Sequence, residues 1–529
     1  MKKITLLLFV LSLVLTACAT LPAPESSGLT FVHLNDTYRV GAVEDGKAGG
    51  FSRVVTLVRE LQADGRDVRI LHGGDFLYPS LESQLWNGLQ IVDAFNFMDA
   101  VTPLYAVSGN HEFDRRGPEQ LVAAVQASEF DWLGDNYTFR TGNSGVDAAL
   151  KTAFTFQSGD KTVGVFALTL NPVDGGNERS YLENDGDYQA VAERTIETLE
   201  SRGVDLIIGV THLHMWQDVA LARLKADYPK LAFIVGGHEH EPEHSPGSDS
   251  SAVVMKGASN ARVVWVIDVD FDEVGEATVT ERQVVLDESI ALDPDYEVLA
   301  SKWRGRLLEK FPFLEARIGT AALPLDGREV TVRNEESNWA NFIVDQMRNA
   351  FGERSDFAFI NGGTLRIDDF IEDDVTFEDI ARTFGFSSFL RLTTMTGGEF
   401  RQVMEAGYRG QGPSKGYFPQ VSGFRVCIDR SRNEGNRIVS LQVPTDRGWE
   451  EIVADKDYSV VVSDYLYRGG DGYDIPKDRP ASPPGSELKY LVLDGVLRAQ
   501  AEGKTIGAPV DPENRRIHQL KEGKQRCFE

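Results

Sequence analysis

The stretch Leu104-Tyr-Ala-Val-Ser-Gly-Asn-His-Glu-Phe-Asp114 opens as a short apolar run and closes on side chains that can hold a metal or move a proton. A run of this length stopped by glycine reads as a buried strand. The same pattern occurs at four other places: Leu29-Thr-Phe-Val-His-Leu into Asn35-Asp36, Val68-Arg-Ile-Leu into Gly73-Gly74-Asp75, Val204-Asp-Leu-Ile-Ile-Gly-Val into Thr211-His212, and Leu231-Ala-Phe-Ile-Val into Gly236-Gly237-His238. Between these runs, residues 53–63, 118–127 and 187–202 carry helical spacing. Strands alternating with helices predict an α/β layered fold. In such sheets ligands collect at the carboxyl ends of the strands, and here five strand ends each deliver a potential ligand.

The 529-residue chain has 42% hydrophobic and 26% charged residues, an ordinary globular composition that excludes disorder, collagen and a multi-span membrane protein. Its length suggests two to four domains. The formal charge of −27 argues against a duplex nucleic-acid surface, which needs clustered Lys and Arg. A small anionic substrate would need a local cation. Three cysteines, Cys18, Cys427 and Cys527, cannot build a disulfide framework and have no zinc-ribbon spacing, so a metal must be held by His, Asp, Asn or Tyr. Neither Cys427 nor Cys527 acquires a role.

Met1-Lys2-Lys3, the apolar run from Ile4 to Val14 and Leu15-Thr-Ala-Cys18 read as a signal peptide, too short to span a bilayer. Leu-Thr-Ala-Cys resembles a bacterial lipobox, which makes residues 1–18 a lipoprotein-type signal and Cys18 a lipid attachment point, with simple secretion as the alternative. Residues 19–28 form a tether and the fold begins near Leu29. The expected address is outside the cytoplasm, periplasmic or at the cell surface, with a membrane contact through the lipid.

Further strands are expected over 253–285, closing a first domain at 29–292. An amphipathic helix opens after Asp293-Pro294, and residues 293–320 read as a connector. A second α/β domain covers 321–510. The chain is polar from Gln500 onward, with little predicted structure, and residues 511–529 are a polar tail. Eight of the nine histidines precede residue 250, which places metal chemistry in the first domain. His33 and His72, inside strands, are expected to support the site or pack in the core. His214 is expected to pack or face solvent, and His244 to pair on the surface. Arg115 and Arg116 would add charge near a phosphate if they face the cleft.

The series Asp36, Asp75, Asn110-His111, His212 and His238-Glu-His240 resembles the calcineurin-like metallophosphoesterase pattern. With the second half of the chain it is similar to the bacterial 5′-nucleotidase/UDP-sugar hydrolase family. The resemblance implies an α/β fold in two parts: a layered α-β-β-α sandwich and a second α/β nucleoside-binding domain. It implies two divalent ions, drawn from Zn, Mn, Mg, Co or Fe. One would take Asp75, Asn110, His212 and His238, the other Asp36, Asp75 and His240, with Asp75 as the bridge. His111, oriented by Asp114, would stabilise charge on the transferring phosphoryl or leaving oxygen. Where the family has Asp-x-His at its first motif, this chain reads Asp36-Thr-Tyr38. Three readings stand open: Tyr38 ligates as a phenolate, Tyr78 does so, or both only line the pocket.

In the second half, Arg333, Asn361 and Arg366 match the family's anion-binding positions, within Arg333-Asn-Glu-Glu336-Ser-Asn338 and Asn361-Gly-Gly-Thr-Leu-Arg366. Thr364 replaces the usual glycine. Phe384 and Tyr465 resemble the two aromatics that sandwich a base, and Asp471 would accept from ribose hydroxyls. Family members rotate the second domain, so the connector would be a hinge. The expected activity is metal-dependent hydrolysis of extracellular nucleotides to nucleoside and phosphate. Its rivals are a UDP-sugar, a 2′,3′-cyclic nucleotide or a sugar phosphate as substrate, or a weakly active nucleotide-binding lipoprotein.

Overall fold

Each of the five strand-to-ligand stretches forms a strand: Leu29–Leu34, Asp67–His72, Leu104–Val107, Leu206–His212 and Leu231–Gly236. The computed structural model describes residues 28–171, 179–410, 415–511, 514–520 and 527–528. The signal peptide, Cys18 and nearly all of the tether lie outside the described residues.

The strands fall into two six-stranded sheets. The first runs in the order 277–285, 263–271, 29–34, 67–72, 104–107, 131–133, and the second 243–245, 253–256, 231–236, 206–212, 161–169, 154–158. Leu29–Leu34 lies parallel to Asp67–His72 and antiparallel to Val263–Phe271. The sheets pack face to face over Phe31, Tyr105, Val165, Phe233 and Trp265, which interlock as one apolar layer. Helices Phe51–Ala63, Leu89–Val101 and Glu119–Ala127 cover the outside of the first sheet. Helices Tyr188–Ser201 and Met215–Ala222 cover the second, completing the α-β-β-α sandwich. Burial on both faces explains why the central strands are continuous Val/Ile/Leu runs.

Helix Pro294–Lys310 is capped by Asp293, whose carboxylate accepts the N–H groups of Asp295 and Tyr296. It packs on the first domain's outer helices through the buried Tyr296 and Trp303. The Tyr296 hydroxyl donates to Val40 O at 2.8 Å. This helix is therefore fastened to the sandwich, and the chain leaves for the second half only after Phe311.

The second half is built on a four-stranded sheet in the order 390–396, 457–463, 357–361, 419–422. Helices Asn338–Asn349 and Leu488–Ala501 bury Trp339, Ile343, Val492 and Val496 on one face. The other face packs helix Gly397–Glu405 and a second sheet, 448–451, 438–445, 425–428, 517–519.

That last strand corrects the expectation of an unstructured tail: Ile517–Gln519 pairs in parallel with Arg425–Ile428. The cysteines are corrected with it. Cys427 and Cys527 form a disulfide, Cα–Cα 5.8 Å, across a separation of 100 residues. Spacing could not reveal the pair because the sheet, not the sequence, brings its ends together. Helix Leu89–Val101 also escaped the reading, since apolar side chains on most of its faces blur the helical period.

Candidate metal centre and domain interface

At the strand ends the backbone turns sharply enough to demand unusual conformations. Asp36, Asp75, His238 and His240 all hold positive φ, at 52°, 60°, 85° and 58°. A side chain with a Cβ pays for that region, so four such residues in one place mark a site held by its surroundings. Gly74, at φ 85°, lets the chain pass within contact of Gly109 N and His212 Nδ1, where a Cβ would lie 2.6 and 2.8 Å away.

Asp36, Asp75 and His212 offer ligand atoms that all lie within 4.8 Å of one another, fully buried. His212 Nδ1 donates to Gly73 O at 2.7 Å, which turns Nε2 inward, 3.2 Å from Asp75 Oδ2. His240 Nε2 sits 3.2 Å from Asp36 Oδ1. Asp36 Oδ2 accepts the His238 N–H at 2.9 Å, tying the first and last strand ends together. The His238 ring lies 5.4 Å from that of His212. Among the described residues, Asn110 Oδ1 is buried with no hydrogen-bond partner, and His212 Nε2 has only its contact with Asp75. Buried imidazole and carboxylate atoms converging this closely, beside an unpartnered amide oxygen, fit a divalent cation, and the O/N donor set suits a borderline-hard one.

The carboxylates and imidazoles hold charge on one another. Burial works against charge on both carboxylates, yet His240 and His212 hold Asp36 well below the usual range, and His212 and His111 bring Asp75 to about 2. Burial likewise opposes charge on His212, while Asp75 raises it to about 9.

His111 donates its backbone N–H to Asp75 Oδ1 at 2.9 Å, and its Nδ1 is bound to Asp114 at 2.6 Å. Its Nε2 therefore points inward, 3.9 Å from Asp75 Oδ2 and 2.9 Å from Arg366 Nη2. Tyr38 stands at the centre. Its hydroxyl lies 3.1 Å from His240 Nε2 and 3.4 Å from Asp36 Oδ1. Tyr78 does not: its hydroxyl donates to Gly385 O at 3.0 Å, and Arg115 stacks on its ring at 4.7 Å. Arg116 is exposed.

Support comes from buried groups that the sequence reading passed over. Glu112 accepts the N–H groups of Asp75, Phe76 and Leu77 at 2.8–3.0 Å and so holds the Asp75 turn. Lys256, fully buried, reaches Asp218 at 3.0 Å, Glu239 at 2.5 Å, Gly237 O at 2.8 Å and Leu213 O at 2.5 Å. It thereby pins the loops that carry His212, His238 and His240. His72 accepts the Gly74 N–H on Nδ1 at 3.1 Å and bonds Thr37 through Nε2, while His33 bridges Leu71 O and Gly236 O. His214 packs edge-on against His238 and stacks on the exposed Trp216. His244 pairs with Glu281 at 3.4 Å.

From the second half, Arg333 and Arg366 arrive together, both on the Glu329 carboxylate, at 2.5 and 3.3 Å. Asn361, Tyr465 and Asp471 form a separate cluster. Asn361 Nδ2 donates to Asp471 Oδ2 at 2.7 Å, and the Tyr465 hydroxyl donates to Asp471 Oδ1 at 2.8 Å. Thr364 binds Asn361 Oδ1 at 2.7 Å, so the residue replacing glycine orients this amide. Phe384 is corrected. Its ring is buried in the second domain's core beside Leu365 and Ile367, with no face left for a base. Two residues on, Phe386 is the aromatic at the interface, 5.7 Å from His111, 5.5 Å from Tyr78 and 5.2 Å from the Arg366 guanidinium.

The two halves meet over this site. Arg382 pairs with Glu82 at 2.9 Å, Arg262 with Asp368, and Arg39 with Ile367 O at 3.0 Å. Between them Tyr38, Arg39, Pro79, Glu329, Arg366 and Arg382 enclose a cavity of about 20 Å³, room for roughly one water.

Comparison with known proteins finds the same two parts. The calcineurin-like phosphoesterase family model matches residues 29–242 and the 5′-nucleotidase C-terminal domain model residues 317–478. The chain belongs to the calcineurin-like metallophosphoesterases that carry a 5′-nucleotidase C-terminal domain, and it is a metal-dependent phosphoester hydrolase. It is 24% identical to the 5′-nucleotidase of Bos taurus, over 90% of this chain and 89% of that protein. It is 25% identical to the trifunctional nucleotide phosphoesterase protein YfkN of Bacillus subtilis, over 93% of this chain and 35% of that one. The crystal structure of a 5′-nucleotidase precursor from Thermus thermophilus shares the fold, with TM-score 0.80 at 24% identity, covering 93% of this chain and 99% of that one.

Proposed function

We propose that the protein is an exported 5′-nucleotidase that removes phosphate from nucleotides with two divalent ions. The observation that carries this reading is the convergence of buried ligand atoms from Asp36, Asp75 and His212, with Arg366 of the second domain at His111 beside them and Arg333 sharing Glu329 with it. Asp75, Asn110, His212 and His238 would hold one ion, and Asp36, Asp75 and His240 the other. Tyr38, whose hydroxyl lies beside His240 and Asp36, would complete the second set, and Tyr78, whose hydroxyl is engaged by Gly385 O, would not. Such a pair supplies Lewis-acid polarisation of the phosphoryl oxygens and a water acidic enough to attack at neutral pH.

The remaining work falls to the chain. Asp114 fixes Nδ1 of His111 as the donor to its carboxylate, so Nε2 faces the phosphoryl position and can donate a proton to an oxygen there once protonated. Burial resists that charge, but Asp114 and Asp75 raise the His111 pKa. Arg366, now 2.9 Å from His111, and Arg333 would turn to the anionic substrate. Asn361 and Asp471 would hold ribose, and Tyr465 the base. Phe386, rather than Phe384, is the aromatic available beside the reacting centre.

Export draws support from the Cys427–Cys527 bridge, since such bonds persist in oxidising compartments. The lipid on Cys18 is part of the proposal. Hydrolysis of nucleoside monophosphates, UDP-sugar, 2′,3′-cyclic nucleotides and sugar phosphates by metal-replete protein, followed by chromatography of the products and, for the monoesters, by phosphate release, tests the whole reading, with Asp75→Asn as control. Nucleoside monophosphates should be cleaved fastest and the variant should be inactive. Preference for another class would replace the substrate, and activity that survives Asp75→Asn would overturn the mechanism.

A further inference from the structure

The contact between His240 and Glu329 crosses the domain boundary. His240 ends the last ligand-bearing loop of the sandwich; Glu329 opens the short helix Glu329–Val332 of the second half. One carboxylate oxygen of Glu329 is bound to His240 Nδ1, and the imidazole's Nε2 then faces Asp36 and Tyr38. The other oxygen accepts from Arg333 and Arg366, and the Glu329 backbone N–H donates to Asp368 Oδ1 at 2.8 Å. Glu329 is 2% exposed. Its side chain is thus held from its own side by two arginines and aimed across the interface at an expected metal ligand.

Resting on the two-ion reading above, we infer that Glu329 is an interdomain positioning residue that orients His240 as a metal ligand, so that binding of the second ion and closure of the domains are coupled. A carboxylate on Nδ1 fixes the tautomer, leaves the Nε2 lone pair for the metal and raises its basicity; removal of such a partner ordinarily costs 10–100-fold in metal affinity. The other imidazole expected on an ion that shows its partner, His212, gives Nδ1 to the carbonyl of Gly73 within its own domain. His240 gives its Nδ1 to a residue that leaves when the domains open. By reciprocity, an ion held more tightly in the closed form favours closure by the same factor. The two arginines on Glu329 are the proposed anion-binding groups, so an arriving phosphate competes with Glu329 for them.

Calorimetric titration of metal-free protein with Mn²⁺ tests this. Wild type should take up two ions. Glu329→Ala should weaken one of them by about 10–100-fold and leave the other unchanged, which also shows that the variant is folded. Glu329→Gln, which keeps an acceptor without the charge, should fall between. Small-angle scattering should show Mn²⁺ compacting wild type more than Glu329→Ala. Two wild-type affinities in Glu329→Ala would overturn the inference while leaving the function intact, and so would an equal weakening of both ions, which a general structural role would produce. A wild type that takes up no Mn²⁺ would overturn the functional reading and this inference with it.

Discussion

At the residue scale, His111, His212 and His240 are each fixed by a partner on the nitrogen turned away from the site. His111 depends on Asp114 in this way, so His111→Ala should lower kcat by about 10²–10⁴-fold, with two ions still bound in a metal titration. His72 is the opposite case, a buried imidazole kept neutral. Burial pulls its pKa to about 3, and the Gly74 N–H occupies its Nδ1 lone pair. The folded state then binds one proton fewer than the unfolded state between pH 6.5 and 3. That contribution to stability is complete above about pH 6.5 and is lost as the pH falls toward 3. In His72→Gln, the slope of unfolding free energy against pH over this window should be shallower by up to about 1.4 kcal/mol per pH unit, read from denaturant titrations. Most of the expected metal-holding residues were legible because glycine and an apolar run flank them. Glu112 and Glu239, inside the same motifs, were not singled out, because a carboxylate that binds backbone amides or a buried lysine leaves no mark in spacing.

At the element scale the strands and their carboxyl-end loops followed from composition, because strands buried on both faces must be apolar throughout. The loops are another matter. Lys256, from strand Val253–Lys256, clamps the turn after Leu206–His212 and the turn after Leu231–Gly236 through two carboxylates and two carbonyls. Lys256→Met fills similar space but leaves Asp218 and Glu239 buried without their cation. It should cost about 3–5 kcal/mol in chemical denaturation of the metal-free protein. Phe384 and Phe386 make the same point in two residues. Both fall in one Phe-Gly-Phe string, and only the packing of helix Phe377–Thr383 decides which ring joins the core and which meets His111.

At the scale of the whole molecule, Arg382–Glu82, Arg262–Asp368 and Arg39–Ile367 O hold the two halves together over the site, and turnover is expected to need these contacts to part. Helix Pro294–Lys310 stays with the sandwich, which moves the expected hinge to the chain just beyond Phe311. Glu82→Cys and Arg382→Cys joined by a short bis-maleimide should stop multiple turnover relative to the same variant left uncrosslinked; equal rates would show that the interface need not part. By itself the sequence determined two α/β halves and the strand ends that carry the candidate ligands, because each rests on local pattern, apolar period and glycine turns; the departure at Tyr38 shows only against the family it resembles. Only the tertiary structure decided that Tyr38 rather than Tyr78 faces Asp36, that Phe384 is core, that Cys427 meets Cys527 and that Glu329 reaches His240. The disulfide and the Glu329–His240 contact join residues 100 and 89 positions apart, where chain spacing carries no information and packing sets the distance.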